Sequence, residues 1–266
     1  MMSVWRLLKL ETHNAFMNMA IDEAVLRASI ENLVPNTLRF YRWKPSAVSI
    51  GRFQNIEDEV QLDNCRRRGV DVIRRITGGG TVYHDAEDEI TYSVVANKED
   101  LEIADITAIY EKVCSGLLEA VKILGVNADF STGNLKTCPN LMVNGRKISG
   151  SAQSHKKLSF LQHGTLLIHV DLEKMFTFLR VPWAKTRVEV LNIAKRKITS
   201  IERELGRKIS TEEVNRTLID GFQKALNIEL VGGELTLYER GLAQKLGKEK
   251  YATDDWNFYG RSKLEK

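Results

Sequence analysis

Apolar and polar positions along the 266-residue chain fall into runs of period two and runs of period near 3.6, predicting strands and helices in turn. Residues 5–10 are expected to form a first strand. Asn14 suits a helix cap, and Met17, Ala20, Ile21, Ala24 and Val25 make an apolar stripe behind it. Residues 37–43 alternate, Leu38 and Phe40 against Arg39 and Tyr41, and a Lys44-Pro45-Ser46 turn leads to a short strand at 47–50. Residues 57–68 look helical, with Gly69 as the stop. Strand-like stretches follow at 70–76, 81–83 and 89–96, the first two separated by Gly78-Gly79-Gly80. Residues 106–124 have helical periodicity, ended by Gly125. Asn144-Gly145 signals a hairpin between 141–143 and 146–149, because a type I′ turn takes positive φ at both central residues. A long strand is expected at 158–170, bulged at Gly164. From about residue 171 the chain reads as mainly helical, with capping-box spacing at Ser210/Glu213 and again at Thr236/Glu239.

Strands in neighbouring pairs joined by tight turns predict an α+β fold, a mixed, mostly antiparallel sheet flanked by helices, and not a doubly wound parallel one. The length allows one large domain or two small ones, and four prolines leave no room for a Pro-rich linker. An apolar content of 43% supports a sizeable core and excludes disordered, collagen-like and coiled-coil compositions. Lys and Arg number 39 against 35 Asp and Glu, a mild +4 that permits an anionic ligand without demanding nucleic acid. The clusters Arg66-Arg67-Arg68 and Lys195-Arg196-Lys197 are expected to be solvated faces. Cys65, Cys114 and Cys138 have no CxxC spacing, so neither a disulfide framework nor a cysteine zinc site is expected. With Arg6 and Lys9 near the start and no apolar window of about 18 residues, neither a secretory signal nor a membrane span is expected, and the cytoplasm is the default location.

Three stretches carry candidate chemistry. In the first, Arg74-Arg75 precede Gly78-Gly79-Gly80, and Thr81-Val82-Tyr83-His84-Asp85 follow. Consecutive glycines expose backbone that can approach a ligand and aim N–H groups at an anion. A lone triple glycine reads as a flexible turn, whereas the flanking Arg-Arg and His-Asp favour a phosphate or carboxylate cradle. The stretch lacks the Gly-Lys-Ser/Thr end of a Walker A loop and the helix of a dinucleotide fingerprint. In the second, Lys147 follows the tight turn and precedes the small residues Ser149-Gly150-Ser151-Ala152, suiting a donor to a carboxylate or acyl phosphate. In the third, His163-Gly164 sit within a strand, where the glycine permits close backbone approach; a lone histidine is more often structural, so His163 is given no catalytic role.

These stretches, in this order, resemble the catalytic domain shared by lipoate-protein ligase A, octanoyltransferases and biotin ligases. Asn18-Met19-Ala20-Ile21-Asp22-Glu23 resembles the family's "N-M-A-x-D-E" helix, and Ser49-Ile50-Gly51-Arg52-Phe53-Gln54 its "G-x-x-Q" turn. Lys250-Tyr251 through Trp256-Asn257 resembles the "K-Y-x-x-x-x-W-N" end of the short ligase form, so the likeness spans nearly the whole chain and favours the lipoate branch over biotin ligase. The resemblance implies one catalytic domain over residues 1–260 with a charged tail at 261–266. It implies an ATP-dependent ligase that uses Mg²⁺, forms lipoyl-AMP and attaches lipoate to a lysine of a carrier domain, of a 2-oxoacid dehydrogenase or the glycine-cleavage H protein. By motif, Arg75, Gly78, Gly79, Gly80, Thr81, Val82 and Tyr83 would contact nucleotide and phosphate. Lys147 would be catalytic and, with Gly150, His163 and Gly164, would bind the lipoyl group, while His84 and Asp85 shape the site. The metal ligands are left unassigned. The short form further implies a separate accessory ligase subunit, and no nucleic-acid or membrane partner.

Two departures keep a rival open. Pro139-Asn140 stand where ligases often carry Asn-Asp, and Cys138 lies nine residues before Lys147. One octanoyltransferase branch has a nucleophilic cysteine upstream of the same Gly-Arg-Lys motif, and moves octanoyl from acyl carrier protein to the target lysine without ATP. The third glycine favours the ligase and stands as the main expectation. The Cys138 transferase is the alternative, and a non-enzymatic lipoyl-binding protein a second one.

Overall fold

The computed structural model describes residues 2–103, 105–131 and 139–265. Strand β1 (Ser3–His13) ends at Asn14, whose side chain accepts from the Met17 amide at 2.9 Å and so starts α1 (Ala15–Ile30). Strands β2 (Thr37–Trp43) and β3 (Ala47–Ile50) follow, then the short helices α2 (Ile56–Glu59) and α3 (Leu62–Arg68). The glycine segment lies between β4 (Asp71–Arg74) and β5 (Val82–His84). Strand β6 (Glu89–Asn97) leads to α4 (Ile106–Ile123) and β7 (Asp129–Ser131). Strands β8 (Asn140–Val143) and β9 (Arg146–Lys156) form the expected hairpin, with φ of 49° at Asn144 and 73° at Gly145. After β10 (Ser159–Leu167) come α5 (Leu172–Phe178), α6 (Arg187–Lys197), α7 (Ile201–Leu205) and α8 (Thr211–Leu226). Strand β11 (Ile228–Gly233), α9 (Leu237–Leu246), a π-helical turn at Gly247–Tyr251 and α10 (Asp254–Tyr259) complete the order.

Eight strands make one sheet in the order β11-β1-β2-β6-β10-β9-β8-β7, parallel only where β1 meets β11 and β2. This is the expected α+β architecture. Helices cover both faces, so every residue of β6 but Asn97 is buried. Alternation decides which side each residue serves. Ile90, Tyr92, Val94 and Ala96 join Phe40, Leu117 and Phe222 beneath α4 and α8. Val95 and Leu161 face the other way, onto Met19, Ala20 and Ala24 of α1. A three-stranded sheet, β4-β3-β5, packs Val48, Ile50 and Tyr83 against Met175 and Phe178 of α5. The space between the α1 face of the large sheet and this small one holds the site.

Three local expectations differ. The helix expected over 57–68 is two, because Val60 is extended (φ −124°, ψ 136°) and bridges Leu179 while the Gln61 amide donates to the Phe178 carbonyl. Gly164 marks no bulge: β10 pairs in unbroken register with β6 and β9. A Cβ there would overlap the Gly150 carbonyl and lie 2.8 Å from the Tyr92 ring, so the glycine serves close strand approach. Strands β7 and β11 were not anticipated at all. Among the described residues, no helix is long and apolar enough to cross a membrane.

Candidate active site

A cavity of about 370 Å³ lies between the two sheets. Of the residues singled out in the sequence, it gathers Arg75, Gly79, Gly80, Thr81, Val82, Tyr83 and His84 from the first stretch. Lys147 and Gly150 come from the second and His163 and Gly164 from the third. Gly78 and Asp85 do not line it, and Cys138 lies outside the described residues. Met19, Trp43, Leu167, Met175, Phe176 and Ile198 supply apolar wall. Helix α1 contributes Met19 and β3 contributes Ser49, whereas Val48 and Ile50 turn into the core behind β3.

Lys147 is held through its backbone. It sits opposite Met142 in the hairpin, bridges Ile198, and its carbonyl accepts from the Thr199 amide at 2.9 Å. A Cβ on Gly150 would lie 2.5 Å from the Lys147 ammonium nitrogen, so the bare glycine leaves that group its place. In the glycine segment only Gly79 needs its residue type for conformation, with φ of 89°. A Cβ on Gly78 or Gly80 would meet nothing within 4 Å.

Adjacent arginines point apart, as strand geometry requires. Arg75 is 5% exposed, and all five of its N–H groups have protein acceptors. Nε donates to Thr77 Oγ1 (3.3 Å), Nη1 to Ser49 O and Oγ (2.9 and 2.7 Å), and Nη2 to Gly78 O and Gly80 O (2.9 Å each). Its observed work is to clamp the glycine segment. Arg74 turns to the far end of the chain, donating to the carbonyls of Trp256, Asn257 and Phe258. The Asn257 side chain in turn accepts from the Arg74 amide at 2.9 Å.

Two hydroxyl–imidazole–carboxylate chains meet at Arg75. In one, Ser49 Oγ is 2.7 Å from His84 Nε2, and His84 Nδ1 is 2.7 Å from Glu89 Oε1. In the other, Thr77 Oγ1 is 2.8 Å from His163 Nε2, and His163 Nδ1 is 2.9 Å from Asp22 Oδ2. Both hydroxyls accept from the guanidinium and keep an O–H that can donate to the imidazole Nε2, leaving Nδ1 of each ring on its carboxylate. Burial holds the His163 pKa below its usual value against the opposing pull of Asp22. Burial also acts to raise Asp22, but the His163 hydrogen bond and the Arg39 charge outweigh it and leave the carboxyl below the ordinary range. Trp43 stacks on His84 with ring centroids 4.0 Å apart. Asp85 acts one step back, accepting from the Tyr83 hydroxyl at 3.1 Å and pairing with Lys174 at 2.7 Å.

The terminal motifs bind each other. Glu23 of α1 accepts from Lys250 Nζ at 2.9 Å and from the Tyr251 hydroxyl at 2.5 Å. Asn18 and Asp22 accept from Arg39 at 2.7 and 2.8 Å. The two described cysteines are poor nucleophiles. Cys65 and Cys114 are 1% and 0% exposed, and burial raises each thiol to about 11.

The fold and site define an acyl-handling catalytic domain. The lipoyl protein ligase A/B catalytic domain model matches residues 14–223, and the chain belongs to that family. It is an enzyme of the lipoate ligase and transferase group. Octanoyltransferase LipM of Clostridioides difficile (strain 630) is 36% identical over 272 residues, covering 96% of this chain and 99% of that protein. The LipM of Bacillus subtilis (strain 168) is 33% identical over 273 residues, covering 96% and 98%. Among solved structures, the bi-partite lipoate protein ligase of Thermoplasma acidophilum has a TM-score of 0.83 at 32% identity, covering 96% of each chain.

The curated relatives correct the main expectation. ATP-dependent lipoate attachment through lipoyl-AMP gives way to the octanoyltransferase alternative, since relatives at 33–37% identity over nearly the full chain are octanoyltransferases. The site agrees with the correction: Arg75 has its five donors committed to protein, and Asn140 is neutral where ligases often carry a carboxylate. Among the described residues no three His, Cys, Asp or Glu side chains are grouped to hold a metal ion, so no step is derived through Mg²⁺.

Proposed function

We propose that the protein moves an octanoyl group from acyl carrier protein to a lysine of a lipoyl carrier domain, through a thioester on Cys138. One observation carries this reading. Lys147, the clamped glycine segment and an apolar wall share one cavity, in a chain whose relatives are octanoyltransferases. The chain has three cysteines, and the two that are buried with raised pKa leave Cys138 as the nucleophile. Asn140, two residues further on, pairs with Gly150 at the cavity wall.

In the first half-reaction the Cys138 thiolate attacks the donor thioester carbonyl, its S–C bond forms, and the donor thiolate leaves. The Lys147 ammonium favours a nearby thiolate and offsets charge on the carbonyl oxygen, worth about 2–4 kcal/mol by comparison with oxyanion donors. In the second, the target lysine displaces the cysteine. Thioester chemistry drives both steps, so neither ATP nor Mg²⁺ takes part, and an accessory subunit for adenylation has no step to serve. Six methylenes of the acyl tail against the apolar wall contribute about 5 kcal/mol, at ~0.8 kcal/mol each. The acceptors are carrier domains of 2-oxoacid dehydrogenases or the glycine-cleavage H protein, and residues 1–260 act as one catalytic unit.

The test supplies octanoyl–acyl carrier protein and a carrier domain without nucleotide, and reads the carrier's mass. Octanoylation is expected with the wild type and absent with Cys138→Ala and with Lys147→Ala, both folded by circular dichroism. Full transfer by Cys138→Ala would rule out the cysteine route.

A further inference from the structure

The cavity's charge is lopsided. Arg75, Lys147 and Arg180 line it, and among the described residues the only carboxylate on its wall is Glu59. Glu59 ends α2 and is fixed from three sides. Its carbonyl accepts from the Arg180 amide at 2.8 Å, the next residue bridges Leu179, and its Oε2 accepts from the Thr81 hydroxyl at 2.9 Å. Gln54 Oε1 lies 3.1 Å from the same hydroxyl, so Thr81 has a neutral acceptor at hand without Glu59. Oε1 of Glu59 accepts no hydrogen bond among the described residues and is available to a ligand.

The acceptor in the proposed reaction is a lysine, which carries a proton near neutral pH and is no nucleophile until it loses it. An ammonium entering a cavity lined by Arg75, Lys147 and Arg180 meets like charge everywhere except at Glu59.

We infer that Glu59 receives the ammonium of the carrier-domain lysine and takes its proton before acyl transfer. This rests on the acyl-to-lysine reading above. The ammonium gives one proton to the Glu59 carboxylate. The freed amine attacks the acyl carbon, the C–N bond forms, and the C–S bond breaks with its electron pair going to sulfur. The remaining proton on the attacking nitrogen passes to that thiolate, leaving a neutral amide and a thiol. Among the described residues no other carboxylate lines the cavity.

Glu59→Gln tests this, because the amide keeps an oxygen for the Thr81 hydroxyl. Two nucleophiles are compared on octanoyl-loaded protein: a carrier domain, whose lysine is charged, and hydroxylamine, which is neutral at the same pH. Transfer to the carrier lysine is expected to fall about 100-fold. Its rate should keep rising with pH where the wild type levels off. Loading from octanoyl–acyl carrier protein and discharge by hydroxylamine should stay within about twofold of the wild type. An unchanged lysine rate overturns the inference, and so does an equal loss with lysine, hydroxylamine and loading, which would mark a structural role. A wild type that never carries a thioester-linked acyl group overturns the cysteine route alone, and the two nucleophiles are then compared with octanoyl–acyl carrier protein itself as the donor.

Discussion

Gly150 and Lys147 show how a residue without a side chain specifies one with a long one. The Cβ of Gly150→Ala would meet the far end of a flexible lysine, which can swing aside, so the fold should survive while the ammonium moves. Misplacing a catalytic group by about 1 Å can cost on the order of 100-fold in rate. Gly150→Ala is therefore expected to lose about that factor in octanoyl transfer, with the unfolding midpoint near the wild-type value. An unaltered rate would show that the lysine's position is unimportant. Much of this site is legible in the chain: the glycine triplet, Lys147 and His163-Gly164 announce themselves by residue type and order, and they do converge. The clamp that Arg75 makes on the carbonyls of Gly78 and Gly80 has no signal in the sequence, because backbone acceptors carry no residue type. Ser49, Glu59 and Glu89 carry no local signal; each gains its meaning only from a partner 22 or more residues away or from a ring it orients.

At the scale of elements, α1 and β10 are tied by the Asp22–His163 pair as well as by Ser29 and Ser159, and the first of these gives stability a pH dependence. His163 titrates below its ordinary value in the fold, so under about pH 6.5 the unfolded chain binds a proton that the folded one refuses. Stability from this group is complete above that pH and falls below it, by up to about 1.4 kcal/mol per unit. Asp22, held below its ordinary range despite burial, adds a further loss only below about pH 4. His155, also lowered by burial and then by Lys98, shares the upper window. Urea midpoints between pH 7.5 and 5.5 should fall for the wild type and slope less for His163→Asn; equal slopes would remove His163 from the account. Elements with strong local chemistry were legible, among them the Asn14 cap, the Asn144-Gly145 hairpin and the Thr236/Glu239 capping box. Strand β11 was not, because its identity comes from lying parallel to β1, more than 200 residues away in sequence. The break at Val60 likewise answers to Leu179 and not to its own neighbours.

Over the whole molecule, the two ends of the chain hold the site from behind. Lys250 is 0% exposed and donates to Glu23, whose other oxygen holds Arg27, so removing Lys250 empties a buried site and takes one partner from a buried carboxylate. Lys250→Ala is expected to cost about 3–5 kcal/mol. Lys224→Ala, which breaks only an exposed pair with Glu119, should leave the midpoint nearly unchanged. Chemical denaturation of the two variants side by side checks the contrast, and similar losses would refute it. The family motifs at the two ends, read in sequence as marks of the family, bind each other in the fold: "D-E" from α1 meets "K-Y" from the π-helical turn, and "W-N" packs on Arg74.

That packing sets a clock on the protein's birth. Carbonyls of residues 256–258 receive Nε and Nη2 of Arg74, while Nη1 goes to Gly51, Arg52 and Gln54, and Asn257 also caps the Arg74 amide. A nascent chain that has exposed the glycine segment, Lys147 and His163 still lacks the late half of the groups that seat the strand leading into that segment. The pocket therefore matures only when residue 258 has cleared the ribosomal tunnel, so a truncated translation product is born without a finished site.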